Sequence, residues 1–136
     1  MAQIFEYRFQ VLEKHLDSFG HVNNAVYLEL FEEARWDFIT SRGFGLEEIK
    51  RTQIGPVILE IALKFKRELL NREWITIKSF STEEDHHLIG SLSQEMIKET
   101  DGKVAATLDL KVGLMDLKKR KLIKSDDKWL HAIGAK

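Results

Sequence analysis

Residues 17–24 read Asp-Ser-Phe-Gly-His-Val-Asn-Asn and run directly into an apolar stretch, AVYLELFEEARWDFI. An asparagine here is a good helix N-cap, because its side-chain oxygen accepts from an amide two or three residues on. Gly20 permits a positive φ in the turn before it. These features alone describe how a helix starts. They also place chemistry at that start. The first turn of a helix presents free N–H donors and about half a positive charge. Such donors can hold the oxygen of a carbonyl as it becomes anionic, the requirement of acyl transfer. Asp17 lies just upstream, and a carboxylate beside a helix N-terminus is stabilised as the anion. It is then a weak general base, suited to attacking an activated acyl carbon or orienting a water. A thioester fits better than an amide. His21 adds a further donor.

The elements that must position these groups can be traced along the chain. Residues 4–11 alternate, with Phe5, Tyr7, Phe9 and Val11 on one side, which predicts a strand with one buried face. In the helix after the motif, Glu29, Glu32, Glu33, Asp37 and Thr40 form one narrow polar stripe. Val26, Tyr27, Leu28, Leu30, Phe31, Ala34, Trp36, Phe38 and Ile39 cover the remaining arc, wide enough to predict a helix wrapped by a curved sheet. Gly43 and Gly45 are read as ending it. Strands are predicted at 56–66, 72–81, 88–98 and 104–114, with a hairpin at Asp101-Gly102. A short terminal helix starts at Ser125 or Asp126. The expected fold is α+β: one domain over residues 1–136, with a five-stranded antiparallel sheet around one long helix.

Composition narrows the function. The 136 residues carry 21 Lys plus Arg against 22 Asp plus Glu, a net charge of -1, so no global field draws the chain to nucleic acid or anionic lipid. With no cysteine, disulfides and thiolate chemistry are excluded. No segment reaches membrane-spanning length, and a cytoplasmic protein is expected. His86 and His87, in the polar turn EEDHH, are read as solvent-exposed turn histidines; neighbours on a strand would point to opposite faces, so no metal site is expected. The basic run Lys118-Lys119-Arg120-Lys121 reads as a solvated hairpin turn rather than a phosphate contact, and the three tryptophans as packing.

The run D-S-F-G-H-V-N-N-A-V-Y-L, with F-E-E-A-R at 31–35 and I-G-P-V at 54–57, resembles the signature of hot-dog-fold acyl-CoA thioesterases, in the branch similar to 4-hydroxybenzoyl-CoA thioesterase. The resemblance implies hydrolysis of an acyl-CoA, with coenzyme A entering as part of the substrate and no separate cofactor. It implies a catalytic carboxylate at Asp17 and carbonyl-polarising amides at Gly20, His21 and Val22. It implies that Asn23, Asn24 and Tyr27 position the motif, and that His21 or Asn23 takes a larger part, as in related plant acyl-carrier-protein thioesterases. It further implies a homodimer or homotetramer with sites between subunits. Two departures stand out. His15 occupies a position often acidic in this branch. The turn Glu83-Glu84-Asp85-His86-His87 is acidic where some members hold coenzyme A phosphates with basic residues, so coenzyme A is gripped elsewhere or held modestly. A non-catalytic acyl-thioester-binding module and an acyl-carrier-protein thioesterase remain as alternatives.

Overall fold

The computed structural model describes residues 3–83 and 86–136. Strand β1 (Phe5–Gln10) is followed by a single 3-10 turn (Glu13–His15) and helix α1 (Asn24–Ser41). Helix α2 (Leu46–Thr52) leads into β2 (Ile54–Phe65), then β3 (Trp74–Thr82), β4 (Gly90–Lys98), β5 (Val104–Asp116), β6 (Lys121–Ile123) and helix α3 (Asp127–Ala132). The sheet runs β1-β3-β4-β5-β2, every pair antiparallel, with β6 added beside β5. This is the hot-dog arrangement expected from the sequence.

The sheet register decides what can meet the motif. Gln10 pairs with Trp74, Ile75 with Lys98, Ile97 with Val104, and Phe65 with Ala106. The end of β1, the start of β3, the end of β4, the start of β5 and the end of β2 therefore lie at one end of the sheet. Helix α1 begins there too, since the chain reaches it directly from β1. The β3–β4 turn and the basic β5–β6 turn lie at the opposite end of the same sheet.

Helix α1 rests on the sheet through Tyr27, Leu30, Phe31, Ala34, Phe38 and Ile39, all buried. They meet Ile75, Ile77, Met96, Leu108 and Leu110 in one core. Phe5 stacks flat on Phe38 at 4.5 Å between ring centroids, fixing β1 against the helix. Truncating a fully buried ring such as Phe31 typically costs about 3–5 kcal/mol. One polar tether crosses this core. Gln94, on β4, donates to the Phe31 carbonyl at 3.1 Å and to Ser79 Oγ at 2.9 Å, and accepts from Arg35 Nη1 at 2.9 Å.

Several expectations need correction. Among the described residues the sheet has a sixth strand, because the basic run turns back at once and Lys121–Ile123 pairs with Leu114–Asp116. Gly43, at φ 90°, follows the end of α1, but Gly45 is the N-cap of α2. The apolar arc of α1 is not fully enclosed: Leu28 and Trp36 are exposed, because the sheet covers only one side of the helix within this chain. His86 and His87 lie outside the strands, as the turn reading has it, but their rings stack at 4.9 Å rather than pointing to opposite faces. Glu84 and Asp85 of that turn lie outside the described residues. Asp126, not Ser125, caps α3, accepting from the Trp129 amide at 2.8 Å. Among the tryptophans Trp129 is buried, whereas Trp74 is exposed and carries the Arg8 guanidinium 3.9 Å over its ring.

Candidate active site

The motif folds as a tight loop that closes on its own acid. Leu16 and Val22 bridge as antiparallel neighbours. The Asp17 amide donates to the His21 carbonyl at 2.8 Å, and the Gly20 amide donates back to the Asp17 carbonyl at 3.0 Å. Gly20 takes φ 78°, the left-handed conformation its missing Cβ permits. The Asp17 carboxylate accepts through Oδ1 from two amides, Phe19 at 2.9 Å and His21 at 3.1 Å. Its Oδ2 accepts nothing among the described residues, and the side chain is exposed. One oxygen is thus anchored and the other is open.

Helix α1 starts seven residues after Asp17, at Asn24. Asn23 is its N-cap, with Oδ1 2.9 Å from the Ala25 amide, and Asn24 Oδ1 accepts from the same amide at 3.0 Å. Of the three amides expected to face a carbonyl, Gly20 and His21 are engaged with Asp17. The Val22 amide has no acceptor among the described residues, nor has that of Asn24. Both residues line an open groove of ≈ 410 Å³, together with Tyr27, Phe65, Lys66, Arg67 and Glu68. Asp17 is not in that lining, so within one chain the carboxylate and the groove are neighbours along the loop rather than one closed cavity.

Tyr27 joins the helix start to the far side of the groove. It is buried, its ring meets Phe65 edge-on at 5.0 Å, and burial pushes its phenol above the ordinary range, keeping it protonated at neutral pH. His21 turns outward: its Nε2 lies 3.1 Å from Glu68 Oε1, with both side chains more than half exposed. Such a pair contributes at most about 1 kcal/mol.

His15 sits below the loop. Its Nδ1 accepts from the Leu12 amide at 2.9 Å and closes the 3-10 turn. Burial, with the Lys14 charge beside it, holds its imidazole below the usual value. An accepting Nδ1 must be unprotonated, which agrees with that shift. In this chain the position is occupied by a neutral capping group.

The 17–27 segment singled out in the sequence folds as one loop running into the start of α1, with Val22, Asn24 and Tyr27 on the groove and Asp17 outside its lining. Sequence reasoning missed Phe65, Lys66, Arg67 and Glu68, which reach the motif only through strand pairing. It also missed the Arg35–Gln94–Ser79 link, formed by residues that are far apart in the chain. A second hollow of ≈ 210 Å³ lies further along α1, lined by Arg35, Trp36, Pro56, Ile58, Val112 and Trp129 among others. Glu32 also lines it and accepts from Trp36 Nε1 at 3.1 Å. Among the described residues no group of three or more His, Asp or Glu side chains is placed to hold a metal ion. No helix among the described residues is long and apolar enough to cross a membrane.

A sheet curled on a long helix, with an acid-bearing loop ahead of the helix start, defines a class of thioester-handling folds. The chain belongs to the thioesterase-like superfamily, whose family model matches residues 11–133. It is 33% identical over 109 residues to the long-chain acyl-CoA thioesterase FadM of Escherichia coli K12, covering 80% of this chain and 81% of that protein. It is 30% identical over 118 residues to the chloroplastic acyl-acyl carrier protein thioesterase ATL3 of Arabidopsis thaliana, covering 82% of this chain and 62% of that one. Among solved structures it resembles the probable thioesterase YbaW of Escherichia coli, with a TM-score of 0.83 and 29% identity over 95% of this chain and 98% of that chain.

Proposed function

We propose that the protein hydrolyses acyl-CoA thioesters to the free acid and coenzyme A, with Asp17 as the reacting carboxylate. The observation that carries this reading is the Asp17 loop. Two amides hold one carboxylate oxygen and leave Oδ2 open, beside a helix start whose Val22 amide is free. In this reading the thioester carbonyl oxygen points at the Val22 amide, with the dipole of α1 behind it. Oδ2 then acts in one of two ways. It attacks the acyl carbon, expelling the thiolate and leaving an acyl anhydride that water hydrolyses. Otherwise it takes a proton from a water that attacks directly. Gly20 supplies the backbone turn, Asn23 and Asn24 cap the helix, Tyr27 fixes it against β2, and His21 orients the loop through Glu68. The similarity to FadM supports an acyl-CoA substrate, and that to ATL3 is the basis of an acyl-carrier-protein alternative.

A second copy of the chain completes the site in this reading. Strand β2 is twelve residues long and hydrogen-bonds only to β5 among the described strands. Ile58, Leu59, Ile61 and Phe65 on it are 39–54% exposed. A long apolar edge of this kind is a template for another strand. Pairing there would place a partner against the open side of the groove, where Phe65 lies.

The test is thiol release from a panel of acyl-CoA and acyl-carrier-protein thioesters of differing chain length. Release well above background from at least one acyl-CoA supports the reading. Tight acyl-CoA binding with no release supports a binding module instead, and release from the carrier protein alone supports the plant-like alternative.

A further inference from the structure

We propose that Lys66 and Arg67 hold the phosphate of the phosphopantetheine arm that carries the acyl group. The inference rests on the thioester reading above and adds a binding site to it. These are the two cations among the residues lining the groove, together with Val22, Asn24 and Tyr27. Neither is paired with a carboxylate among the described residues, whereas Arg8, Arg51, Arg72, Lys98 and Lys128 each have an acidic partner. The acid beside them, Glu68, is engaged by His21 at 3.1 Å.

Their position is fixed by the backbone. The amides of both residues donate to the Ala105 carbonyl, at 2.8 and 2.9 Å. Lys98 Nζ donates to the Glu68 carbonyl at 3.0 Å, and Leu69 is fully buried. The connection after β2 is thus pinned on both sides, and both of its cationic residues line the groove. The other basic cluster, Lys118–Lys121, lies at the opposite end of the sheet within the same chain. Within the chain, Lys66 and Arg67 are thus the cations that share a groove with Val22. A guanidinium offers a fork of donors to phosphate and an ammonium offers a point charge, so the pair suits one phosphoryl group.

The experiment measures binding by calorimetry and turnover by thiol release, on the wild type and on Lys66→Ala/Arg67→Ala. Free coenzyme A, 4′-phosphopantetheine and pantetheine are the binding probes. Acyl-CoA, acyl-carrier protein and an acyl N-acetylcysteamine thioester, which lacks phosphate, are the substrates. Charge-assisted contacts of this kind predict coenzyme A and 4′-phosphopantetheine affinities at least about tenfold lower in the double variant. The ratio of kcat/KM for acyl-CoA to that for the N-acetylcysteamine thioester falls by a similar factor, and the variant Lys66→Arg/Arg67→Lys recovers most of it. Lys50→Ala, at an exposed position on α2, leaves the coenzyme A affinity as it was. Unchanged coenzyme A affinity in Lys66→Ala/Arg67→Ala overturns the proposal. So does a loss seen with coenzyme A but absent with 4′-phosphopantetheine, which would place the contact on the nucleotide. Equal loss on the phosphate-free thioester overturns it as well, as the signature of general damage to the site. If the wild type binds coenzyme A through its phosphate yet releases no thiol, the thioesterase reading fails and this site stands. If it hydrolyses the phosphate-free thioester as efficiently as acyl-CoA, the reverse holds.

Discussion

His15 shows how one side chain can be tied to the acid range of stability. Its folded state needs a neutral imidazole, because Nδ1 accepts the Leu12 amide and the ring is partly buried. In the unfolded chain the imidazole titrates near 6.5. A depressed pKa in the folded state means that the unfolded chain binds the proton more readily. The contribution of His15 is therefore present above about pH 6.5 and is lost as pH falls through the lower folded value. Urea unfolding from pH 8 to pH 5 should show a steeper loss for the wild type than for His15→Asn, whose side chain can still accept from Leu12. Parallel curves would remove His15 from the account. At the same scale, Asp17, Asn23 and Gly20 were legible from the sequence because each acts on residues within four positions of itself. Glu68 was not legible, since it lies 47 positions from His21 and approaches it only through the intervening sheet and helix.

The elements follow the same division. Helix α1 is marked by an asparagine cap and a polar stripe, and strands β1 and β5 by clean alternation, so their positions were readable. Helix α2 was not. LEEIKRT is seven residues between two glycines, too short for a hydrophobic period to declare itself, and it is held by burial of Ile49 and by acids in its first turn with bases in its last. Strand β6 was hidden for a related reason: three residues after a basic turn carry no pattern of their own, and only pairing with β5 makes them a strand. Between elements, Gln94 matters more than its polarity suggested. It joins β4 to the Phe31 carbonyl, to Ser79 and to Arg35, whose guanidinium is largely buried and held below its ordinary pKa by desolvation. Gln94→Leu strands those groups without partners, and should lower stability by about 1–3 kcal/mol in denaturant unfolding. A variant as stable as the wild type would show that the tether contributes nothing net.

At the scale of the whole molecule, the open groove and the bare edge of β2 belong to one problem. Within a single chain the sheet covers only part of α1, and the apolar residues of β2 face outward beside the groove. Replacing Ile61 with Lys sets a charge on that edge. Sedimentation should then show a shift from dimer or higher oligomer toward monomer, with thioester hydrolysis falling together with the fraction assembled. A monomeric variant of full activity would contradict an interface site. The sequence pointed to the proposed assembly only through resemblance, because an edge strand and an inner strand have similar patterns until the sheet order is known.

The central claim is that the free oxygen of Asp17 carries the reaction, and Asp17→Asn tests it most directly. An asparagine keeps an oxygen for the Phe19 and His21 amides, so the loop and the circular dichroism spectrum should be retained. Thiol release from the best acyl-CoA should fall by about 10²- to 10⁴-fold, the usual range for losing a catalytic acid-base group. A folded Asp17→Asn protein releasing thiol at the wild-type rate would contradict the account.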